Sequence, residues 1–178
     1  MNRVSPTKKN RRVLVIDDNP DIHQDFRKIL ASGRTAPDLL DNLEAEFFET
    51  QEVESCNDAF DMDSAFQGQE GAAKLRQAMD CGQPYALAFV DMRMPPGWDG
   101  VETITQLWKI DPRLQVVICT AYSDYSWEAI LNQLGRRDGL AVLKKPFDNI
   151  EVLQLAEILV KKWSLSHEAN SPPPEVSE

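Results

Sequence analysis

The chain has few of the residues that staple or metallate small proteins. Its 178 residues include three cysteines, Cys56, Cys81 and Cys119, odd in number, widely spaced and without a C-x-x-C pair. That pattern indicates neither a disulfide framework nor a zinc site, and they read as reduced cytosolic thiols. The two histidines, His23 and His167, lack metal spacing and read as surface residues. No apolar run approaches the roughly 20 residues that a membrane span needs, so no membrane contact is expected. The basic start MNRVSPTKKNRR leads into a short apolar run, Val13 to Ile16, that ends in two aspartates. This is not a secretory signal, and a cytoplasmic protein is expected. Positive charge is also scarce, with 19 basic against 29 acidic residues and a net charge of −10. Direct nucleic-acid binding is disfavoured, whereas a bound cation would be tolerated.

What the sequence does contain is alternation. Four short apolar runs, at 13–16, 86–90, 114–121 and 140–143, have the length and β-branched content of strands buried on both faces. A weaker candidate, AFDMDSAF at 59–66, suits an edge strand. Helical spacing follows Asn19-Pro20 through Ile22, Phe26, Ile29 and Leu30, with proline placed near the first turn. Further helices are expected at 69–80, 100–109, 124–134 and 148–164, the last opened by a capping box at Asp148 and Glu151. Strands alternating with helices imply βαβ units, hence an α/β fold with a mostly parallel sheet. Length favours one domain with appendages. An acidic stretch at about 33–58 breaks the alternation and reads as an insertion, with Leu39, Leu40, Leu43 and Phe47 at helical spacing. The polar, proline-rich tail at 165–178 and the first ten residues are expected to be flexible.

Polar residues follow each strong run: Asp17-Asp18, Asp91, Thr120 and Lys145-Pro146. In an open parallel sheet, carboxyl ends of strands share one edge, where such folds bind ligands. Three carboxylates gathered there repel one another unless a cation compensates. Oxygen donors without histidine or cysteine favour Mg²⁺, which keeps several waters and binds one or two carboxylates. A carboxylate can also attack a phosphoryl group, and Asp91 is best placed to do so. Lys145 and Thr120 supply donors to the charge that develops on the phosphoryl oxygens.

The segments VLVIDDNP, FVDMRMPPGWDG, VVICTAYSD and LKKPFD, each at a strand end and in this order, resemble the receiver domains of two-component response regulators. GWDG and LKKPFD look similar to receivers attached to hybrid sensor histidine kinases. The resemblance covers residues 11–164 apart from the insertion and implies a doubly wound five-stranded sheet of order 2-1-3-4-5. It implies that Asp17 and Asp18 hold Mg²⁺ together with Asp91 and the backbone carbonyl of Arg93. Asp91 would be the phosphoacceptor, Thr120 the switch hydroxyl and Lys145 the lysine that pairs with the phosphoryl group, with a cis bond before Pro146. The donor of the phosphoryl group would be a histidine kinase or phosphotransfer protein. Output would pass to a downstream protein or a homodimer formed through the last helix. Catalysis would be confined to self-phosphorylation and autodephosphorylation.

Three departures from the family pattern stand out. MPPGWDG, from Met94 to Gly100, is one residue longer than the usual loop, and Trp98 within it has either a packing or a docking role. Val142 occupies a position that is usually aromatic, so a signal is expected to pass through the loop of Thr120 and Ala121, with Tyr122 or Tyr125 participating. Bulky Arg93 and Tyr122 border the path of hydrolytic water, which implies slow loss of phosphate. Two other functions compete. A degenerate receiver would act as a phosphorylation-independent interaction module. A haloacid-dehalogenase-like phosphatase would need D-x-D at the first strand end, where this chain has Asp17-Asp18-Asn19.

Overall fold

The computed structural model describes residues 10–32, 59–121, 126–136 and 138–168. These form β1 (Arg12–Ile16), α1 (Pro20–Ser32), β2 (Asp61–Ala65), α2 (Gly68–Asp80), β3 (Leu87–Asp91), α3 (Gly100–Ile110), β4 (Gln115–Thr120), α4 (Trp127–Leu134), β5 (Leu140–Lys144) and α5 (Asn149–Glu168). The five strands are parallel and ordered β2-β1-β3-β4-β5, as expected. The expected insertion at 33–58 lies outside the described residues, as do Tyr122 and Tyr125.

Side chains alternate across the central strands, which is why those strands are apolar throughout. Val13, Val15, Leu87, Phe89, Val117 and Cys119 face one core, closed by α1 and α5. Leu14, Ile16, Ala88, Val90, Val116 and Ile118 face the other, closed by α2 and α3. Phe26 of α1 anchors the first layer, with its ring 4.7 Å from that of Phe89 and 5.1 Å from that of Phe147. Strand β2 is the polar edge. Arg12 reaches across to Asp63 at 2.8 Å, and the Tyr85 hydroxyl donates to the same carboxylate at 2.6 Å. Charges on an edge discourage pairing with a further strand.

Local signals set the helix ends. The Asn19 side chain accepts from the Asp21 amide at 3.0 Å, so Pro20 begins α1 without an unmet donor. Asp99 caps α3 by accepting from the Glu102 amide at 2.8 Å, and Ser126 caps α4 by accepting from Ala129 at 3.2 Å. Helix α4 therefore starts at Trp127 rather than at 124, and ends on Gly135 with φ 67°. Asp148 accepts from the Ile150 amide at 2.8 Å, while Glu151 reaches back to the Asp148 amide at 3.4 Å.

Helix α5 runs on to Glu168, so residues 165–168 are helical and do not belong to a flexible tail. The extra turn follows from burial of Trp163, whose ring stacks on His167 at 3.5 Å and draws the next turn into helix. Trp108 is buried, donating from Nε1 to the Leu114 carbonyl at 3.0 Å. Trp127 is 41% exposed, because it lies on the first turn of a short helix whose buried side chains are Ile130 and Leu131. Among the described residues no helix is long and apolar enough to cross a membrane.

Candidate functional site

The parallel sheet brings the strand-end residues together. Asp91 is the last residue of β3, one position further into the strand than the apolar run suggested, and it is registered against Cys119 of β4. Asp17 follows β1, the neighbour of β3 on its other side, and its amide donates to the Ala65 carbonyl at 3.1 Å. Lys145 follows β5, two strands away, and crosses β4 to reach both carboxylates. Its ammonium donates to Asp17 Oδ2 at 2.6 Å and to Asp91 Oδ1 at 2.9 Å. The Lys145 amide donates to the Thr120 carbonyl at 2.9 Å, and the peptide bond to Pro146 is cis.

Asp17 is 2% exposed and Asp91 9% exposed, so the pair of carboxylates is largely dry. Burial raises the Asp91 carboxyl above its ordinary range; the Lys145 ammonium pulls it back and the Asp17 charge raises it further. For Lys145, burial alone would disfavour the ammonium, but its bonds to Asp17 and Asp91 outweigh that and hold it above its usual value. Asp17 Oδ1 accepts from the Asn19 amide at 2.9 Å, and Asp91 accepts from the backbone of Arg93.

Asp18 is exposed at the rim. One carboxylate oxygen from each of Asp17, Asp18 and Asp91 lies within 4.8 Å of the others. Three carboxylates against one ammonium leave about two negative charges in a small volume, which a divalent cation would neutralise. The donors are all hard oxygens, and the exposed rim leaves room for the waters that Mg²⁺ retains, so the residues fit that ion.

Not every predicted residue converges. The Thr120 hydroxyl is not bonded to the carboxylates and donates instead to the Ala121 carbonyl at 3.0 Å. The Arg93 side chain is exposed. Trp98 is partly buried and packs against the α2–α3 core, which favours its packing role. Val142 is partly buried, and with Thr120, Trp127 and Ile130 it lines a groove of about 470 Å³. The sequence reading missed one residue entirely. His23, expected on the surface, is 2% exposed, because its ring turns back under the β1–α1 loop and its Nε2 lies 2.7 Å from the Asp17 carbonyl oxygen. A histidine five residues past the acidic pair, in the first helical turn, was the available signal.

Comparison with known proteins agrees with this geometry. A family model described as the response regulator receiver domain matches residues 50–157. The DNA-binding transcriptional regulator NtrC of Escherichia coli K12 is 34% identical over 94 residues, covering 53% of this chain and 19% of that protein. A response regulator receiver protein from Anaeromyxobacter sp. strain Fw109-5 is 29% identical over 147 residues, 82% of this chain and 47% of that one. The chain thus spans between about a fifth and about half of the length of these relatives. The crystal structure of a CheY-like receiver domain protein from Methanospirillum hungatei superposes with a TM-score of 0.60 at 18% identity, over 88% of this chain and 98% of that one. The chain belongs to the response regulator receiver domain family. Receiver domains are signalling domains of two-component systems, switched by phosphorylation and typically holding Mg²⁺ in an acidic pocket.

Proposed function

We propose that this receiver accepts a phosphoryl group on Asp91 from a phosphohistidine of a histidine kinase or phosphotransfer protein, in a Mg²⁺-dependent reaction in the cytoplasm. The observation that carries the reading is the dry carboxylate Asp91, bonded to Lys145 at 2.9 Å beside two further carboxylates. An Asp91 oxygen attacks phosphorus, forming the P–O bond of an acyl phosphate as the P–N bond to imidazole breaks. Mg²⁺, held by Asp17, Asp18, Asp91 and the Arg93 carbonyl, would neutralise charge on the phosphoryl oxygens. Lys145 keeps its ammonium at Asp91 and turns it from the carboxylate to a phosphoryl oxygen. Thr120 exchanges its bond to the Ala121 carbonyl for one to the phosphoryl group, and that movement shifts the loop it begins. By the family resemblance, bulky side chains at Arg93 and Tyr122 border the path of hydrolytic water, so the acyl phosphate is long-lived.

Incubation with acetyl phosphate and Mg²⁺ tests the reading. The mass of the wild-type chain should rise by one phosphoryl group, and Asp91→Asn should stay unlabelled. Equal labelling of both, or catalytic turnover of phosphate monoesters, would overturn it. A second reading, an interaction module independent of phosphorylation, is favoured by Val142 and the lengthened Met94–Gly100 loop. Under that reading beryllofluoride leaves tryptophan fluorescence unchanged. The output partner is a downstream protein or a second copy meeting the last helix, and the GWDG and LKKPFD segments point to a system built around a hybrid sensor kinase.

A further inference from the structure

Asp18 supplies the third carboxylate of the cluster, yet it is the most exposed of the three and, among the described residues, no side chain pairs with it. What places it is the backbone on its N-terminal side. The Asp17 amide is tied to the Ala65 carbonyl at 3.1 Å, and the Asp17 carbonyl faces Nε2 of His23 at 2.7 Å. A carbonyl oxygen accepts and cannot donate, so Nε2 carries the proton. The other ring nitrogen, Nδ1, is buried and has no hydrogen-bond partner, which leaves this bond as the one polar contact that fixes the ring. Phe66, at the end of β2, closes over the imidazole with ring centroids 4.5 Å apart and shields it from water. The contact spans helix α1 and the β1–α1 loop, and it fixes the plane of the peptide that joins Asp17 to Asp18.

We infer that His23 is a positioning residue for the metal carboxylates: its Nε2–H clamps the Asp17–Asp18 peptide so that the exposed Asp18 carboxylate is presented to the cation already oriented. This rests on the Mg²⁺ reading of the site given above. A buried polar group with half of its hydrogen-bonding capacity unmet costs free energy, so a leucine or phenylalanine would serve a purely packing role better. Outer partners that orient metal ligands typically change affinity by about 10–100-fold when removed. Because His23 acts through backbone rather than on a ligand oxygen, the lower end, about tenfold, is expected.

The test compares wild type, His23→Phe and His23→Gln by Mg²⁺ titration of tryptophan fluorescence, with thermal unfolding in EDTA as a control. His23→Phe keeps the bulk and removes the donor, and its Mg²⁺ dissociation constant should rise about tenfold while unfolding in EDTA changes little. His23→Gln restores an N–H donor and should recover a large part of the affinity. Equal Mg²⁺ affinity of His23→Phe and wild type would overturn the inference, as would a His23→Gln variant no better than His23→Phe. If wild type itself binds no Mg²⁺, the reading of the site fails and the inference falls with it. Should His23→Phe not fold, nitrogen-15 spectra of the wild-type ring decide the matter. A slowly exchanging Nε2 proton that shifts on Mg²⁺ saturation supports the clamp, and a rapidly exchanging or unresponsive one overturns it.

Discussion

Lys145 stands between two buried carboxylates that would otherwise repel each other, and this sets the electrostatic state of the pocket. Its side chain is 22% exposed, so solvent screens the pair only in part. Lys145→Met keeps the aliphatic stem and removes the charge, leaving Asp17 and Asp91 uncompensated. Stability in EDTA should fall by about 2 kcal/mol, the scale of lost hydrogen bonds to charged groups. Added Mg²⁺ should then raise the melting temperature of Lys145→Met more than that of wild type, because the cation replaces the missing positive charge. A smaller gain in the variant would show that the ion does not sit among these carboxylates. At the same scale, the proposed slow loss of phosphate rests on Arg93 and Tyr122. Replacing both by alanine should shorten the lifetime of the acyl phosphate several-fold, read by the decay of the phosphorylated mass.

At the scale of elements, the lengthened loop between β3 and α3 decides how Asp91 is aimed. Asp99 caps α3, and the Gly100 amide donates to the Met92 carbonyl at 3.1 Å, folding the loop back on the strand end. A Cβ on Gly100 would lie 2.8 Å from the Asp91 carbonyl oxygen and 2.9 Å from the Met92 Cα, so the backbone itself must move. Alanine gains at most about 1 kcal/mol of helix propensity, and less at a helix end, against about 1–3 kcal/mol for overpacking. The clash wins, so Gly100→Ala should melt lower and label more slowly with acetyl phosphate. Asp99→Ala removes the cap without touching the acceptor and should cost about 1 kcal/mol of stability, measured by urea unfolding.

For the molecule as a whole, the far end of the sheet is joined by a polar cluster at the edge strand. The Tyr85 phenol is pushed well above its ordinary value, first by burial and then by its bond to the Asp63 carboxylate. The folded state therefore prefers the protonated phenol. Its contribution is complete below the unfolded value of about 10 and is lost as pH rises through the folded one. Wild type should consequently lose stability more steeply than Tyr85→Phe between about pH 10 and 11. Equal slopes would show that the phenol is as free in the fold as in the unfolded chain.

Much of this protein was legible along the chain, because its strongest signals are local. Val13–Ile16, Leu87–Val90 and Val116–Ile118 are apolar at every position since both faces of the central strands are covered, and polar residues after them mark a shared edge. Caps at Asp99 and Asp148 place helix starts within a residue or two. The family match begins at residue 50, past β1 and within the acidic stretch, so it covers Asp91, Thr120 and Lys145 but not Asp17 or Asp18. The strand-end pattern and the parallel register are what join the two halves of the pocket. What the sequence determined by itself is the layering and the set of residues at one edge, both consequences of short-range periodicity, while the strand order was implied by the family resemblance. What only the tertiary structure decided depends on contacts between segments far apart or on the direction of a single ring. These are the reach of Lys145 to Asp17 across 128 positions, the bond of the Thr120 hydroxyl to the Ala121 carbonyl, the added turn of α5 and the burial of His23 beneath the acidic loop.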